Sequence, residues 1–404
     1  MAEFKRNNEV KSLYKKLHNG KVKIVAGLRR CGKTYLLETL FFEYIKKKHY
    51  ADETSFLKIS MFSEPEVHKT KDGFSAHIRS MINETTKIVF IDEVQEIEDY
   101  VNLLIHLAHD YKSIDFYVTG SNSNTLSNDI VDSFKEHADP LYIKPLSFKE
   151  IRAKKRTYSF DKYLKFGGIP YIVNSKKQAS DIKDLYEKVF RLDIIDRFRK
   201  EHFLILSEDD CKTILENIFS SCTAFSVNEF ISSIGSKIEA KKNEKGTIRK
   251  EIKDYLKILT QSFLITDIDN EDPYKRTPLE KIGLNKKYYA TDCGIAYQVC
   301  NVVNHKFPVA LETAAFLRLK ELGHDPKCFL FKDIEGKRRE IDFVYNSNLI
   351  QVAYRLSSNN CENELNVFEN FNEDYHKQLI YVENDVGETE NSIDYIDAES
   401  FLLY

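Results

Sequence analysis

Gly27 to Thr34 reads Gly-Leu-Arg-Arg-Cys-Gly-Lys-Thr and fits G-x-x-x-x-G-K-[ST], the spacing of a loop that wraps nucleotide phosphates. Each residue type has a task in that chemistry. Gly27 and Gly32 let the backbone turn so that successive N–H groups face anionic oxygens, beside the positive start of a helix. Lys33 reaches the β and γ phosphates, and Thr34 sets its hydroxyl on Mg²⁺. Arg29, Arg30, Cys31 and Tyr35 line or flank the loop as further candidate contacts for ATP, with Cys31 read as a small filler rather than a reactive thiol. A second acidic pair completes the set. Lys87–Val94 (KIVFIDEV) is a β-rich run ending in Asp92 and Glu93, where Asp92 can hold Mg²⁺ through water and Glu93 can polarise the attacking water as general base.

These residues act together only if strands and helices bring them to one edge. Lys21–Ala26 (KVKIVA) supplies a short strand before the loop, and Tyr35–Tyr50 is apolar at helical spacing after it. Ser55–Phe62 reads as a second strand, 74–83 as a helix, 100–109 as another helix, and Asp115–Thr119 as a strand running into Gly120-Ser121-Asn122. Ser121 and Asn122 are the candidate sensors of the γ-phosphate at that strand end, although the same triplet is also ordinary turn chemistry. Leu141–Lys144 is a fifth strand, and Ser147 with Glu150 three residues on forms a capping box for the helix that follows. The alternation predicts a parallel α/β sheet covered on both faces, with nucleotide at its C-terminal edge.

At 404 residues the chain has room for two or three domains, and its formal charge of −3 argues against a wholesale polyanion binder while leaving room for a local basic face. The N-terminus lacks an apolar core with a small-residue cleavage site, and no run approaches the ~18 apolar residues of a membrane span, so a cytoplasmic protein with no membrane contact is expected. The seven cysteines are scattered without zinc spacing and are expected to be reduced, mostly buried and without a metal of their own.

Tyr163–Val173 (YLKFGGIPYIV) is turn punctuation between apolar runs, and 185–200 reads as a long amphipathic helix on which Asp193 and Arg197 are spaced to pair as a surface ion pair or to place a lid residue at nucleotide. Three helical patterns follow, at 209–221, 227–234 and 247–260, then two strand-like runs at 263–268 and 287–290. Three helices and a hairpin make a winged helix. Its third helix and approach carry Lys241, Lys242, Lys245, Arg249, Lys250, Lys253 and Lys257, a density that can meet DNA phosphates, yet Glu239, Glu244, Glu251 and Asp254 are interleaved as on a solvated face. Near the end, 309–322 is an amphipathic helix bearing Glu312, followed by strands at 328–331, 340–345 and 349–356, a helix near 362–371 and a strand at 378–382. Asp342 projects from an apolar strand between Ile341 and Phe343.

The order GLRRCGKTYLL, FIDEVQEI, VTGSNS, PLSFKE and FGGIPYIV resembles the AAA-like ATP-binding proteins of bacteria and archaea that carry a C-terminal domain of unknown function. The resemblance spans almost the whole chain. It implies an AAA-like P-loop ATPase domain over 1–155, a helical and winged-helix domain over 156–300, and over 301–404 a small α/β module similar to PD-(D/E)XK, restriction-endonuclease-like enzymes. It also implies assembly into rings of like subunits. Members often show Gly-Arg-Tyr shortly before the PLSF run, where this chain has Glu136-His137-Ala138; if that arginine is a finger, its loss costs a factor on the order of 10³ in rate, with Arg29, Arg30 or Arg197 as substitutes. In the nuclease-like module Glu312, Asp342 and Gln351-Val352-Ala353 stand at the matching places, but the second acid is the neutral Gln351 and the usual lysine is Ala353. Strand alternation puts Arg355 on the same face as Gln351 and Ala353, where it could serve as a displaced cation.

The function expected is therefore a Mg-ATP-binding protein that hydrolyses ATP slowly and couples nucleotide state to the arrangement of its other domains. The alternative is an ATP-gated DNA-binding or nuclease-like protein of a mobile-element or defence system, with DNA met through the winged helix or the C-terminal module. A regulatory switch that binds ATP but scarcely turns it over is a third reading.

Overall fold

The computed structural model describes residues 4–120, 134–201, 205–221, 223–225, 229–231, 245–271, 286–333, 336–371, 374–387 and 392–404. The chain divides into two compact units, 1–145 with 261–263, and 146–260 with 264–404.

The first unit is a five-stranded sheet of β1 (Val22–Ala26), β2 (Phe56–Ser60), β3 (Ile88–Asp92), β4 (Asp115–Thr119) and β5 (Ala138–Tyr142), in spatial order β2-β3-β4-β1-β5 and parallel throughout. Every residue of β1 and β4 is buried, and apart from Lys23, Asp115 and Thr119 both strands are apolar. Helices α1 (Asn7–Lys15), α4 (Lys71–Met81) and α5 (Tyr100–Asp110) cover the sheet, with Phe74, Ile78, Leu103, Leu104 and Leu107 in its core. The helix after the loop runs as α2 (Lys33–Tyr35), a π-helical stretch Leu36–Phe41, and α3 (Phe42–Lys47). Two expectations shift. The fifth strand begins three residues before Leu141, because Val22–Ala26 pairs with Ala138–Tyr142. The N-terminal helix has no counterpart in the sequence reading; Arg6 ties it by donating to the Lys144 carbonyl at 2.6 Å, and Tyr117 donates to the Leu13 carbonyl at 3.4 Å.

Lys23 is the exception inside the sheet. It is 1 % exposed and ion-paired with the equally buried Asp115 at the start of β4. Burial lowers the lysine pKa, and the Asp115 contact opposes the shift.

In the second unit, the capping box forms as expected: Ser147 accepts from Glu150 N–H at 3.3 Å while the Glu150 carboxylate accepts from Ser147 N–H at 2.9 Å, opening α6 (Phe148–Lys154). Then come α7 (Phe160–Phe166), α8 (Pro170–Asn174) and the run α9 (Gln178–Lys188), π-helical Val189–Ile195 and α10 (Asp196–Glu201). Asp193 is 2 % exposed and so is not a surface residue; the Arg197 side chain expected to pair with it lies outside the described residues. Helices α11 (Glu208–Ser221) and α12 (Lys245–Gln261) are followed by an antiparallel hairpin of β6 (Ile265–Asp269) and β7 (Lys286–Ala290). Most of the helix expected at 227–234, with Lys241 and Lys242, falls outside the described residues.

The last part packs α13 (Cys293–Val299) and α14 (Lys306–Glu321) beside a second sheet of β8 (Lys327–Lys332), β9 (Arg338–Tyr345), β10 (Asn348–Leu356), β11 (His376–Asn384) and β12 (Ile393–Asp397), with α15 (Cys361–Leu365) and α16 (Ala398–Leu403). This sheet is mixed: β8-β9-β10 are antiparallel, while β10-β11-β12 are parallel. Among the described cysteines all are free thiols, and only Cys361 is not buried.

Asp292 knots this unit together. Its carboxylate accepts from Gly168 N–H at 2.7 Å and from Gly294 N–H at 3.0 Å, capping α13. Gly167, at φ +68°, leaves no room for a side chain, since a Cβ would stand 1.8 Å from the Asp292 carboxylate. The paired glycines of FGGIP therefore serve as the seat of a buried acid.

Candidate functional site

The loop after β1 turns through Gly27 (φ 143°), Arg30 (φ 63°) and Gly32 (φ 97°). A Cβ on Gly27 would lie 2.2 Å from the Ile143 carbonyl and 3.2 Å from Cys31 Sγ, so this glycine is dictated by close approach as well as by φ. Cys31 is buried at 1 %, consistent with a filler. Lys33 is 6 % exposed and donates to the Gly27 and Leu28 carbonyls at 3.0 and 3.2 Å, so its ammonium is held inside the turn. Arg29 is half-buried, while Arg30 and Tyr35 are exposed on the rim.

β4 stands between β1 and β3, and its end completes the site. Thr34 donates to Asp92 Oδ1 at 3.0 Å. Thr119, fully buried at the last position of β4, donates to the same oxygen, and Glu93 N–H reaches the Thr119 hydroxyl at 3.4 Å. Two hydroxyls on one carboxylate form a set of hard oxygens that fits Mg²⁺, which keeps several waters and needs few protein ligands. Glu93 itself sits in the left-handed region at φ 57°, with Gln95 donating to its carboxylate. That rare backbone state aims the second acid of the pair away from the strand direction.

Lys33, Thr34, Asp92 and Glu93 thus come to one edge. Ser121 and Asn122 lie outside the described residues, and the polar group placed at the end of β4 is Thr119. A strand-terminal Thr facing an acid on the neighbouring strand is the signal that the triplet Gly-Ser-Asn obscured. The place of the missing arginine also changes meaning. Ala138 pairs with Val22 at the start of β1, so Glu136–Ala138 lies at the opposite end of the strands from the loop, roughly 13 Å away at strand rise. Its absence takes nothing from this chain's own phosphate loop.

A second constellation sits in the other unit. Lys287 of β7, 2 % exposed, faces Glu312 of α14 and Glu340 and Asp342 of β9, with Nζ 2.6 Å from Glu340 and 2.9 Å from Asp342 and in contact with Glu312. Tyr289 donates to Glu312 at 2.7 Å, Val352 N–H to Asp342 at 2.9 Å, and Gln351 to Glu364 at 3.1 Å. Burial alone would lower the Lys287 pKa, but Asp342, Glu312 and Glu340 outweigh it and hold it well above the usual value. Burial raises Glu312 and Glu340, and raises Glu364 to about 7. Glu312, Asp342 and Gln351 come together as the sequence suggested. Arg355 does not join them: it is exposed and pairs with Asp385 at 2.7 Å and Glu383 at 3.5 Å. Lys287 and Glu340 were missed, although Glu340 and Asp342 share a face by strand alternation.

Glu64, His68 and His77 bring three further ligand atoms within 4.8 Å of one another. The two rings stack at 3.8 Å and 17°, and His68 Nδ1 and His77 Nε2 both approach Glu64 Oε2, at 2.6 and 3.4 Å.

Residues 19–152 match the family model of an AAA domain, and residues 157–306 match that of a domain of unknown function, DUF8612. The parallel sheet of the first unit thus lies within the stretch that matches the AAA domain. An uncharacterized protein of Methanocaldococcus jannaschii is 27% identical, the alignment covering 88% of this chain and 79% of the relative. An uncharacterized protein of Haemophilus influenzae is 24% identical over 92% of each chain. The ORC2 protein of Aeropyrum pernix, solved with ADPNP and ADP, aligns with 77% of this chain and 95% of its own at 12% identity, with a TM-score of 0.31. Among the described residues no helix is long and apolar enough to cross a membrane.

Proposed function

We propose that this chain binds Mg-ATP and hydrolyses it slowly to ADP and phosphate, using the nucleotide state to set the arrangement of its other domains. The observation that carries this reading is the convergence of Thr34 and Thr119 on Asp92 Oδ1 beside the loop that buries Lys33. On binding, Lys33 exchanges the Gly27 and Leu28 carbonyls for phosphate oxygens, and the loop N–H groups take up the rest of the charge. Thr34 and Asp92 would hold Mg²⁺, which would supply positive charge against the phosphates. Glu93 polarises the attacking water, and Thr119 reports the γ-phosphate to the Asp92 carboxylate. The test is steady-state phosphate release alongside binding of a fluorescent ATP analogue. Wild type turns over, Glu93→Gln binds without turnover, and Lys33→Ala does not bind. Wild type that binds yet is as inert as Glu93→Gln sinks the ATPase reading and leaves a nucleotide-bound switch.

A second reading, ATP-gated DNA binding, is favoured by one feature of α12. Arg249, Lys250, Lys253 and Lys257 are exposed, while Glu251 is only 4 % exposed and turns inward to accept Ile205 and Leu206 N–H at 3.0 Å. Glu251 therefore does not dilute the outer face. In this reading α11, α12 and the β6–β7 hairpin act as a winged helix, cytoplasmic and in an assembly of like subunits, whose basic helix meets phosphates. Neutralising Arg249, Lys253 and Lys257 together should weaken duplex binding at low salt and flatten its dependence on salt by about three ion equivalents. Unchanged affinity and slope would remove DNA from the account.

A further inference from the structure

A nuclease-like module implies a divalent ion held by acids from the first helix and the second strand of its core, and the residues here bear on that directly. Three carboxylates from α14 and β9 converge, which is the right donor chemistry for Mg²⁺ or Mn²⁺. Their meeting point, however, is taken by an ammonium from outside the module's own sheet. Lys287 Nζ touches all three acids, and Glu340 Oε1, buried and without a directed hydrogen bond, faces it ion to ion at 2.6 Å, as a carboxylate faces a metal.

The remaining positions are committed elsewhere. The second oxygen of Asp342 accepts Val352 N–H, and Gln351 turns its carbonyl toward Asp342 N–H at 3.4 Å and its amide to Glu364. The other Glu340 oxygen accepts Ala224 N–H at 3.0 Å. The pocket beside Lys287 and Glu312 holds only about 10 Å³, room for no more than one water, between Ile218, Phe219 and Val309 on one hand and Thr223, Tyr288 and Thr313 on the other.

We infer that Lys287 is a resident cation: it fills the place where a nuclease-like fold would hold its divalent ion, so that the acid cluster clasps the chain's own β7 strand and binds no metal. The inference rests on reading the module as nuclease-like and does not involve the ATP site.

The experiment uses the full chain without nucleotide, with Mn²⁺ as the probe, read by electron paramagnetic resonance and by Tm. Wild type shows no Mn²⁺ binding that depends on Asp342, since Asp342→Asn leaves its titration unchanged. Lys287→Ala loses stability in metal-free buffer and regains roughly 5 °C or more in Tm with millimolar Mn²⁺, a response absent from Lys287→Ala/Asp342→Asn. Should Lys287→Ala fail to fold without metal, recovery of its circular dichroism on refolding with Mn²⁺ reads the same event. Wild-type Mn²⁺ binding that Asp342→Asn abolishes overturns the inference while leaving the nuclease-like reading intact. A folded Lys287→Ala that gains no Mn²⁺ response overturns both.

Discussion

Thr34 and Thr119 come from opposite sides of the phosphate edge, one from the first turn of the loop helix and one from the end of β4, and donate to the same oxygen of Asp92. In the proposed Mg-ATP state Thr34 would turn from that oxygen to the ion, whereas Thr119 could stay. The two hydroxyls are therefore separable by substitution. Thr119→Val keeps the shape and removes the donor: ATP-analogue binding should change little while phosphate release falls by about tenfold to a hundredfold, and Thr119→Ser should restore most of it. A loss of binding in Thr119→Val equal to its loss of turnover would show that the hydroxyl merely holds the fold.

Gly27 is fixed by two independent constraints, φ of 143° and the Ile143 carbonyl 2.2 Å from any Cβ. Gly27→Ala should cost more than ~2 kcal/mol by denaturant titration and abolish nucleotide binding, because Ile143 N–H also holds the Ala26 carbonyl at 2.6 Å and any retreat of Ile143 breaks that bond. Wild-type stability in this variant would mean the β1–β5 contact is looser than described.

The buried pair Lys23–Asp115 joins β1 to the neighbouring β4. Lys23→Met leaves Asp115 with His18 N–H at 3.0 Å but no cation, and should destabilise the first unit by about 3 kcal/mol. Lys23→Met/Asp115→Asn should recover much of that loss in the same denaturation measurement.

The buried Asp292 and the half-buried Glu364 make stability depend on pH in an unusual direction. Burial lifts Asp292 to about 6 and Glu364 to about 7, both above their unfolded values, so the folded state binds protons the unfolded chain has released. Their contribution is full below about pH 4 and is lost as pH rises through 6 and then 7, at up to ~1.4 kcal/mol per pH unit for each group in its window. Denaturation midpoints from pH 4 to 8 should fall over that range, and Glu364→Gln should remove the part between about 4.5 and 7. A midpoint of the second unit that rises across the window would contradict the assignment.

The phosphate loop, Asp92, Glu93 and the strands of the first sheet were legible because each is local: a fixed spacing, or a run of β-branched residues buried on both faces. What escaped was decided by partners far along the chain. Thr119 matters because β4 lies between β1 and β3, an order no strand states by itself. Lys23 reads as a polar interruption until Asp115, 92 residues on, is seen beside it. Lys287 reads as surface on a hairpin until α14 and β9 close over it, and Asp193 reads as a surface position on its helix although it is buried. Arg355 failed for the opposite reason: alternation put it on the right face, but at the strand's far end Asp385 and Glu383 hold it in water.

The π-helical stretch Leu36–Phe41 carries one residue more than an α-helix of the same rise would need. The helix is thus tolerant to a change in length at that point and at no other. Removing one residue within 36–41 restores regular winding and leaves Lys33, Thr34 and the buried Ile45 facing as they do now. Removing one after Phe42 swings everything beyond it by about 100° and exposes Ile45. Natural chains of this kind that differ by a single residue between the phosphate loop and β2 should carry the difference inside that one turn.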